Sequence, residues 1–415
     1  MHVVLATLGT AGDVQPFVAI GRHLREHGHR VELLSNPVFA ELAADAGIGF
    51  TPVGSAADHA ATFSHHYTWH AVNGFGVMWR YLARPAIPQA LARLEALRSE
   101  PDVVVLYSPF LMPAPRIAQE AWGMRAVSAW TAPAMVPNFE PPLCLTSLRI
   151  PGWMPRPLAA AAVRALDRRK MQPLALPAIE SARSALGLPR LGRSIFLDWL
   201  HSPLHSLALF PEWFAAATRD WPRPNRHAGF PLYAARDQTL PHALEEFLRA
   251  GEAPVVVTAG TAMRGARRYF EAAIDACAAL DLRVVLLARE PGEVPERLPA
   301  FAIHAHWAPL STLLPRTRAI LHHGGIGTLA EALRAGIPQI VLPRAYDQFD
   351  NAMRLERLGV GLRVDPRPVD ARRLGAALGR LVGTRAFSDA AARLSSGFGG
   401  EPAVEQVRRT LEALP

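Results

Sequence analysis

His2-Val3-Val4-Leu5-Ala6-Thr7-Leu8, Gly9-Thr10-Ala11-Gly12-Asp13, an amphipathic run from Val14 to Arg25 closing at His27-Gly28-His29, and then Arg30-Val31-Glu32-Leu33-Leu34: residues 2–34 decide the fold. The first run is short, apolar and rich in β-branched residues, so it reads as a buried strand. Val14, Phe17, Val18, Ile20 and Leu24 recur at helical spacing, and a glycine stops that pattern before the second apolar run. Strand, glycine-rich turn, helix, strand is a βαβ unit, and the crossover implies a parallel sheet.

Working outward, Pro101–Tyr107 and Arg125–Trp130 read as further buried strands, with a helix containing Ile117 to Trp122 between them. The alternation restarts after residue 250. Strands are predicted at 253–258, 283–287, 302–306, 318–322, 339–342 and 359–364, and helices at 267–280, 327–335 and 348–358. The expected fold is α/β: two Rossmann-like, doubly wound parallel-sheet domains facing each other across a cleft. The polar, proline-containing stretch 229–241 is the expected linker. That divides the chain into an N-terminal domain, 1–232, and a C-terminal domain, 233–415. The amphipathic segment 402–414 is suited to pack back on the first. Ligands of such folds bind beyond the C-terminal ends of the strands, so the loops after strands carry the chemistry.

Half of the 415 residues are hydrophobic and 19% are charged, which excludes a disordered chain. No apolar run reaches the roughly 18–20 residues of a membrane span, and residues 1–8 do not read as a signal peptide. Two cysteines, Cys144 and Cys277, make no disulfide framework. The expected location is therefore cytoplasmic. The formal charge is +8, but Lys170 is the only lysine among 44 basic residues. That bias is spread over the whole chain, and no basic cluster interleaves with aromatics, so nucleic acid is not an expected partner. Loose attraction to anionic lipid, and with it peripheral contact at the inner membrane, stays open.

His322-His323-Gly324-Gly325-Ile326-Gly327-Thr328 follows a strand and opens a helix. Glycines let the backbone approach a ligand and expose its N–H groups, and the helix N-terminus adds partial positive charge. With an imidazole and a hydroxyl beside them, these groups form a diphosphate cradle that calls for no metal. Glu331 lies eight residues beyond His323, about two turns along a similar face. Asp347 and Gln348 stand where the next strand gives way to a helix. Both suit vicinal hydroxyls, although Asp347 would serve equally as an N-cap.

Trp307-Ala308-Pro309, His323 to Thr328, Glu331, Gly336-Ile337-Pro338 and Asp347-Gln348 together resemble the donor signature of family-1 glycosyltransferases, which are GT-B enzymes using nucleotide-diphosphate sugars. Gly9 to Phe17 resembles the matching segment of their bacterial and sterol branch. Trp199-Leu200-His201-Ser202-Pro203, Phe210 to Phe214 and Asp347 to Ala352 are most similar to the rhamnosyltransferases of rhamnolipid biosynthesis. The resemblance implies Trp307 and the Ala308 backbone beside the base, and Glu331 on the ribose. It places Thr261, His323, Gly325, Gly327 and Thr328 at the diphosphate, and Asp347 and Gln348 on the sugar. Leu310 stands where plant relatives carry glutamine, which leaves uracil or thymine open.

Asp13 falls where the branch carries its catalytic carboxylate. An acceptor hydroxyl must lose its proton as it attacks the anomeric carbon, and a carboxylate with a pKa near roughly 4 is ionised at neutral pH. The competing reading of Asp13 is a helix cap. Aromatic and methionine side chains of the N-terminal half, Trp69, Met78, Trp79, Trp130 and Phe139, are the expected walls for an apolar acceptor. His65, His66 and His70 lack a nearby carboxylate pattern, so no metal site is expected there. His304 and His306, on a short strand, are expected to be structural or to line the site.

The resulting expectation is an inverting glycosyltransferase with no cofactor beyond its nucleotide-sugar co-substrate. The first expectation is L-rhamnose from dTDP-L-rhamnose moved to a hydroxyl of a hydroxyalkanoyl or similar lipid. The alternative is glucose from UDP-glucose moved to a sterol or other hydrophobic product. A sugar-nucleotide epimerase and a non-catalytic helper subunit are the rivals. Gly9 to Gly12 is not the dinucleotide fingerprint, so a dehydrogenase is disfavoured.

Overall fold

The structure is a computed structural model that describes residues 1–235, 237–260, 265–290, 292–365 and 369–415. It divides into two units, Met1–Tyr233 with Pro402–Pro415, and Ala234–Glu401. Among the described residues no helix is long and apolar enough to cross a membrane.

The first unit is built on β1 (His2–Ala6), β2 (Arg30–Ser35), β3 (Gly49–Pro52), β4 (Val103–Tyr107), β5 (Arg125–Trp130), the hairpin β6 (Leu143–Leu145) and β7 (Leu148–Ile150), β8 (Ser206–Ala208) and β9 (Asn225–His227). Its parallel seven-stranded sheet runs β3-β2-β1-β4-β5-β8-β9. Val3 and Leu5 of β1 pack under Val14, Phe17, Val18 and Leu24 of the helix Ala11–Glu26, as the apolar spacing requires. Val407 and Leu411 of the terminal helix Ala403–Glu412 join that same core. His23 pairs with Glu405 and His29 with Glu412, each at 2.9 Å, so residues 402–415 belong to this unit rather than to the second.

The second unit repeats the plan with β10 (Val255–Thr258), β11 (Val284–Leu287), β12 (Ala302–Ala305), β13 (Ala319–His322), β14 (Gln339–Val341) and β15 (Gly361–Arg363), in the order β12-β11-β10-β13-β14-β15. All its ladders are parallel. In each sheet the strand order reverses at the first strand of the unit, β1 beside β4 and β10 beside β13. Such switch points leave a crevice beyond the strand ends. The loops after β1, β10 and β13 are therefore the positions the topology marks out for chemistry.

Candidate active site

After β1 the chain turns at Gly9, whose φ is +132°, and enters the helix at Ala11. Asp13 is the third residue of that helix, not its N-cap; Thr10 holds the cap position. The Asp13 carboxylate accepts hydrogen bonds from the Thr10 backbone N–H at 2.8 Å and from its hydroxyl at 2.9 Å. A Cβ on Gly9 would overlap Asp13 Oδ2 and stand 2.7 Å from its Cγ, so this glycine makes the space the carboxylate fills. Burial raises the Asp13 pKa above the usual carboxylate value, and the two Thr10 donors partly offset it. The carboxylate is thereby a stronger base than an exposed aspartate.

The histidine pair at the end of β13 divides into two tasks. His322 is fully buried: its Nε2–H donates to Gln339 Oε1 at 2.9 Å, and its Nδ1 accepts the Gly324 N–H at 3.2 Å. Burial pushes its pKa down to about 3, so it is a neutral brace for the loop. His323 faces the other way. Its ring lies against Gly260, which follows β10 with φ +89°, and against Gly325. A Cβ on either glycine would stand 2.5 Å from the imidazole. Its pKa is pushed down to about 4, by burial first and by the Arg344 charge second. Its Nδ1 is buried with no hydrogen-bond partner among the described residues. Gly325 is the N-cap of the helix Ile326–Arg334, so the N–H groups of Ile326, Gly327 and Thr328 precede the first helical carbonyl they could use. A neutral N–H donor beside bare helix amides suits a diphosphate. Thr261 lies outside the described residues.

Glu331 is nearly buried on the next turns of that helix. Arg334 donates to its Oε2 at 2.7 Å, and burial raises its pKa despite that pair. Both Arg334 hydrogen bonds fall on Oε2, which leaves Oε1 as an acceptor for a hydroxyl. Trp307 is 42% exposed, an unusual state for an indole, while Ala308 beside it is buried. His304 donates to the Ala288 carbonyl at 2.9 Å and is structural.

Asp347 occupies the N-cap position of the helix Gln348–Leu358 without making a capping hydrogen bond. Its Oδ2 instead accepts from the Asn351 amide at 2.7 Å, and the same amide donates to the Gly324 carbonyl at 2.9 Å. Asn351 thus ties the sugar-binding candidate to the histidine-glycine loop. Gln348 is buried, its Oε1 accepting the N–H groups of Arg344 at 2.8 Å and Ala345 at 3.1 Å. That fixes the amide so that its NH2 is the group left for a ligand. Tyr346, just before Asp347, sits at φ +55°, a strained position for a side chain of its size. Sequence reasoning passed over Asn351 and Arg344. The available signal was spacing for Asn351, one helical turn past Asp347, and for Arg344 a cation in the loop before it.

The apolar candidates of the first unit are corrected by packing. Trp130 is fully buried and its indole N–H donates to His201 Nδ1 at 3.1 Å. Trp79 is 2% exposed within a cluster of Ile87, Ile117, Ile179 and Trp199, and Met78 is buried as well. These three build the scaffold. Phe139 is covered by the guanidinium of Arg164, 4.8 Å from its ring centre. Trp69 keeps partial exposure and packs on Phe63 with ring centres 6.2 Å apart. His65 and His70 accept backbone N–H groups two residues on, at 3.2 Å each, and close local turns. A different trio, His23, His27 and Glu405, has metal-ligand spacing, but Arg408 and Arg409 already occupy Glu405.

The fold and these loops have counterparts in known proteins. Residues 3–133 match the glycosyltransferase family 28 N-terminal domain, and residues 271–414 match the erythromycin biosynthesis protein CIII-like C-terminal domain. The chain is 30% identical to glycosyltransferase GtfE of Amycolatopsis orientalis, over 91% of this chain and 89% of that one. It is 29% identical to the O-mycaminosyltylonolide 6-deoxyallosyltransferase of Streptomyces fradiae, over 98% and 95%. The crystal structure of the glycosyltransferase VinC in complex with dTDP superposes with a TM-score of 0.70 at 20% identity, covering 99% of each chain. The chain belongs to this glycosyltransferase family, with the GT-B fold. It is an enzyme that transfers sugars from nucleotide sugars.

Proposed function

We propose that the protein is an inverting glycosyltransferase that moves L-rhamnose from dTDP-L-rhamnose to a hydroxyl of a lipid-like acceptor. The observation that carries the donor half is His323: a neutral imidazole seated between Gly260 and Gly325, its Nδ1 unpaired among the described residues, at the bare amides of a helix start. In the reaction, the acceptor oxygen bonds to the anomeric carbon as its proton passes to the Asp13 carboxylate. The bond from that carbon to the phosphate oxygen breaks, and the electron pair leaves on the diphosphate. Backbone N–H groups and the His323 N–H stabilise that developing charge without a metal. Trp307 stacks on the base, Glu331 Oε1 accepts a ribose hydroxyl, and Asp347 and the Gln348 NH2 hold the sugar. Thymidine diphosphate and a 6-deoxyhexose are supported by what VinC binds and what the tylonolide relative transfers.

Thermal-shift measurement tests the donor half, because a ligand that binds only the folded state raises the melting temperature. dTDP-L-rhamnose is expected to raise it above dTDP, UDP and UDP-glucose, followed by dTDP release on adding a hydroxyalkanoyl lipid. A larger shift with UDP-glucose and glucosyl transfer to a sterol replaces the reading with the alternative that Leu310 leaves open. Binding with no transfer to any acceptor points to a helper subunit.

A further inference from the structure

Among the described residues, the three most exposed large hydrophobic side chains are Trp153 at 81%, Leu148 at 61% and Leu158 at 60%. They fall within eleven residues of one another, in a part of the first unit that no step of the transfer uses. Leu148 is at the tip of the β6–β7 hairpin. Trp153 lies in the turn that follows, and Leu158 is in the first turn of the helix Arg156–Leu166. Leu143, Ile150 and Ala159 pack together beneath them, so hairpin and helix form one small platform. The apolar tips stand outward from that platform instead of joining its core.

The charge of the same region is one-sided. Between residues 141 and 179 there are six basic residues, Arg149, Arg156, Arg164, Arg168, Arg169 and Lys170, against a single acid, and of the six Arg156 is paired with Glu140 and Asp220 from outside that stretch. That acid, Asp167, is buried and accepts from Gln172 and Ser194. Leu158, Ala161 and Arg164 are all exposed and recur every three residues, so they lie on one side of the helix. That side is apolar at its start, and Arg168, Arg169 and Lys170 follow the helix in the open, within the π-helical turn Asp167–Met171.

We propose that this platform is a docking surface for an anionic lipid bilayer, with Trp153, Leu148 and Leu158 entering the headgroup layer and Arg168, Arg169 and Lys170 meeting lipid phosphates. Indole and leucine side chains beside a run of exposed bases, whose one acid Asp167 is buried, fit an interface that is apolar within and negative at its surface. A protein partner of ordinary composition would call for acids as well as bases on this face. The inference stands on exposure and charge alone and does not rest on the donor or acceptor assigned above.

Flotation of the full chain with phosphatidylcholine vesicles, with and without 30 mol% phosphatidylglycerol, tests it. Binding is expected only with phosphatidylglycerol, and release is expected when salt rises from about 0.1 to 0.5 M, as screening predicts. Two variants attack the two halves separately: Trp153→Ala with Leu148→Ser, and Arg168→Ser with Arg169→Ser and Lys170→Ser. Each should lower vesicle binding at least tenfold and leave the melting temperature and its shift by dTDP unchanged. No binding to the anionic vesicles overturns the proposal, as does binding that neither variant weakens. A Trp153 variant that turns a dimer into a monomer by light scattering overturns it in favour of contact between copies. Vesicle binding that persists while no sugar is transferred leaves this surface standing and removes only the assigned activity.

Discussion

The loop after β1 and the loops after β10 and β13 solve one packing problem in opposite electrostatic senses. In each, a glycine with positive φ leaves room that a functional side chain fills: the Asp13 carboxylate at Gly9, the His323 imidazole at Gly260. Burial then favours the neutral form of both groups. For the acid that means a raised pKa and a stronger base; for the imidazole it means a neutral N–H donor at physiological pH. The difference lies in satisfaction. Asp13 already holds two hydrogen bonds from Thr10, whereas Nδ1 of His323 has none from the described residues. One group is satisfied within its own loop, and the other keeps a buried nitrogen that no described residue satisfies.

The largest expected effect breaks the first loop's chemistry while keeping its geometry. Asp13→Asn can still accept from Thr10 but cannot take a proton, so kcat should fall about 10^3-fold, within the range positioned proton transfer supplies. The melting temperature should not fall. A folded-state carboxylate pKa raised above its unfolded value means that stability is lost as pH rises from the unfolded pKa through the folded one. Removing the ionisable group therefore costs nothing at neutral pH. A variant that keeps kcat within tenfold reduces Asp13 to a helix-end residue.

Next comes the unsatisfied partner. His323→Ala should lower kcat/KM about 100-fold, the usual loss of one donor to a developing oxyanion, and should also shrink the thermal shift produced by dTDP. An unchanged shift would place the imidazole away from the diphosphate. The two glycines then separate the loops. Gly9→Ala should lower kcat about tenfold and leave donor KM alone, because the new methyl displaces Asp13. Gly260→Ala should raise donor KM by a similar factor, because it displaces His323, at about 2–3 kcal/mol of stability from overlap and strain. Equal kcat and KM responses in the two variants would erase the contrast.

Much of the arrangement was legible because long-period patterns survive in one dimension. The central strands are continuous apolar runs, and the helix Gln348–Leu358 stands where its spacing puts it. What failed had a spatial cause. The strand β9, Asn225-Arg226-His227, contains no apolar residue and stands just after Pro222 and Pro224, so nothing in its composition shows a strand. Trp79 and Trp130 look the same in sequence whether they face a ligand or the core, and only tertiary packing decides. The site's least legible feature is the seat of His323, since Gly260 stands 63 residues before it and meets it only because β10 and β13 are neighbours. His322 was equally mute: its partner Gln339 lies on the next strand, so the pair of histidines reads as one motif until the sheet separates them.

The smallest expected effect sharpens the comparison most finely. Thr10 supplies both donors that hold the Asp13 pKa down against burial, one from its backbone and one from its hydroxyl. Thr10→Ala removes the hydroxyl and keeps the N–H. With less to stabilise the ionised form, the Asp13 pKa rises further, so the acid limb of the kcat/KM profile should move to higher pH. At a pH well above that limb the carboxylate is ionised in both proteins, and turnover should differ by no more than a few-fold. Thr328→Ala is the matching change on the other loop: it leaves both Asp13 donors in place, so it should weaken donor binding slightly and leave the acid limb where it was. An acid limb that moves with Thr328 and not with Thr10 would assign the titration to the donor loop and take the base role from Asp13.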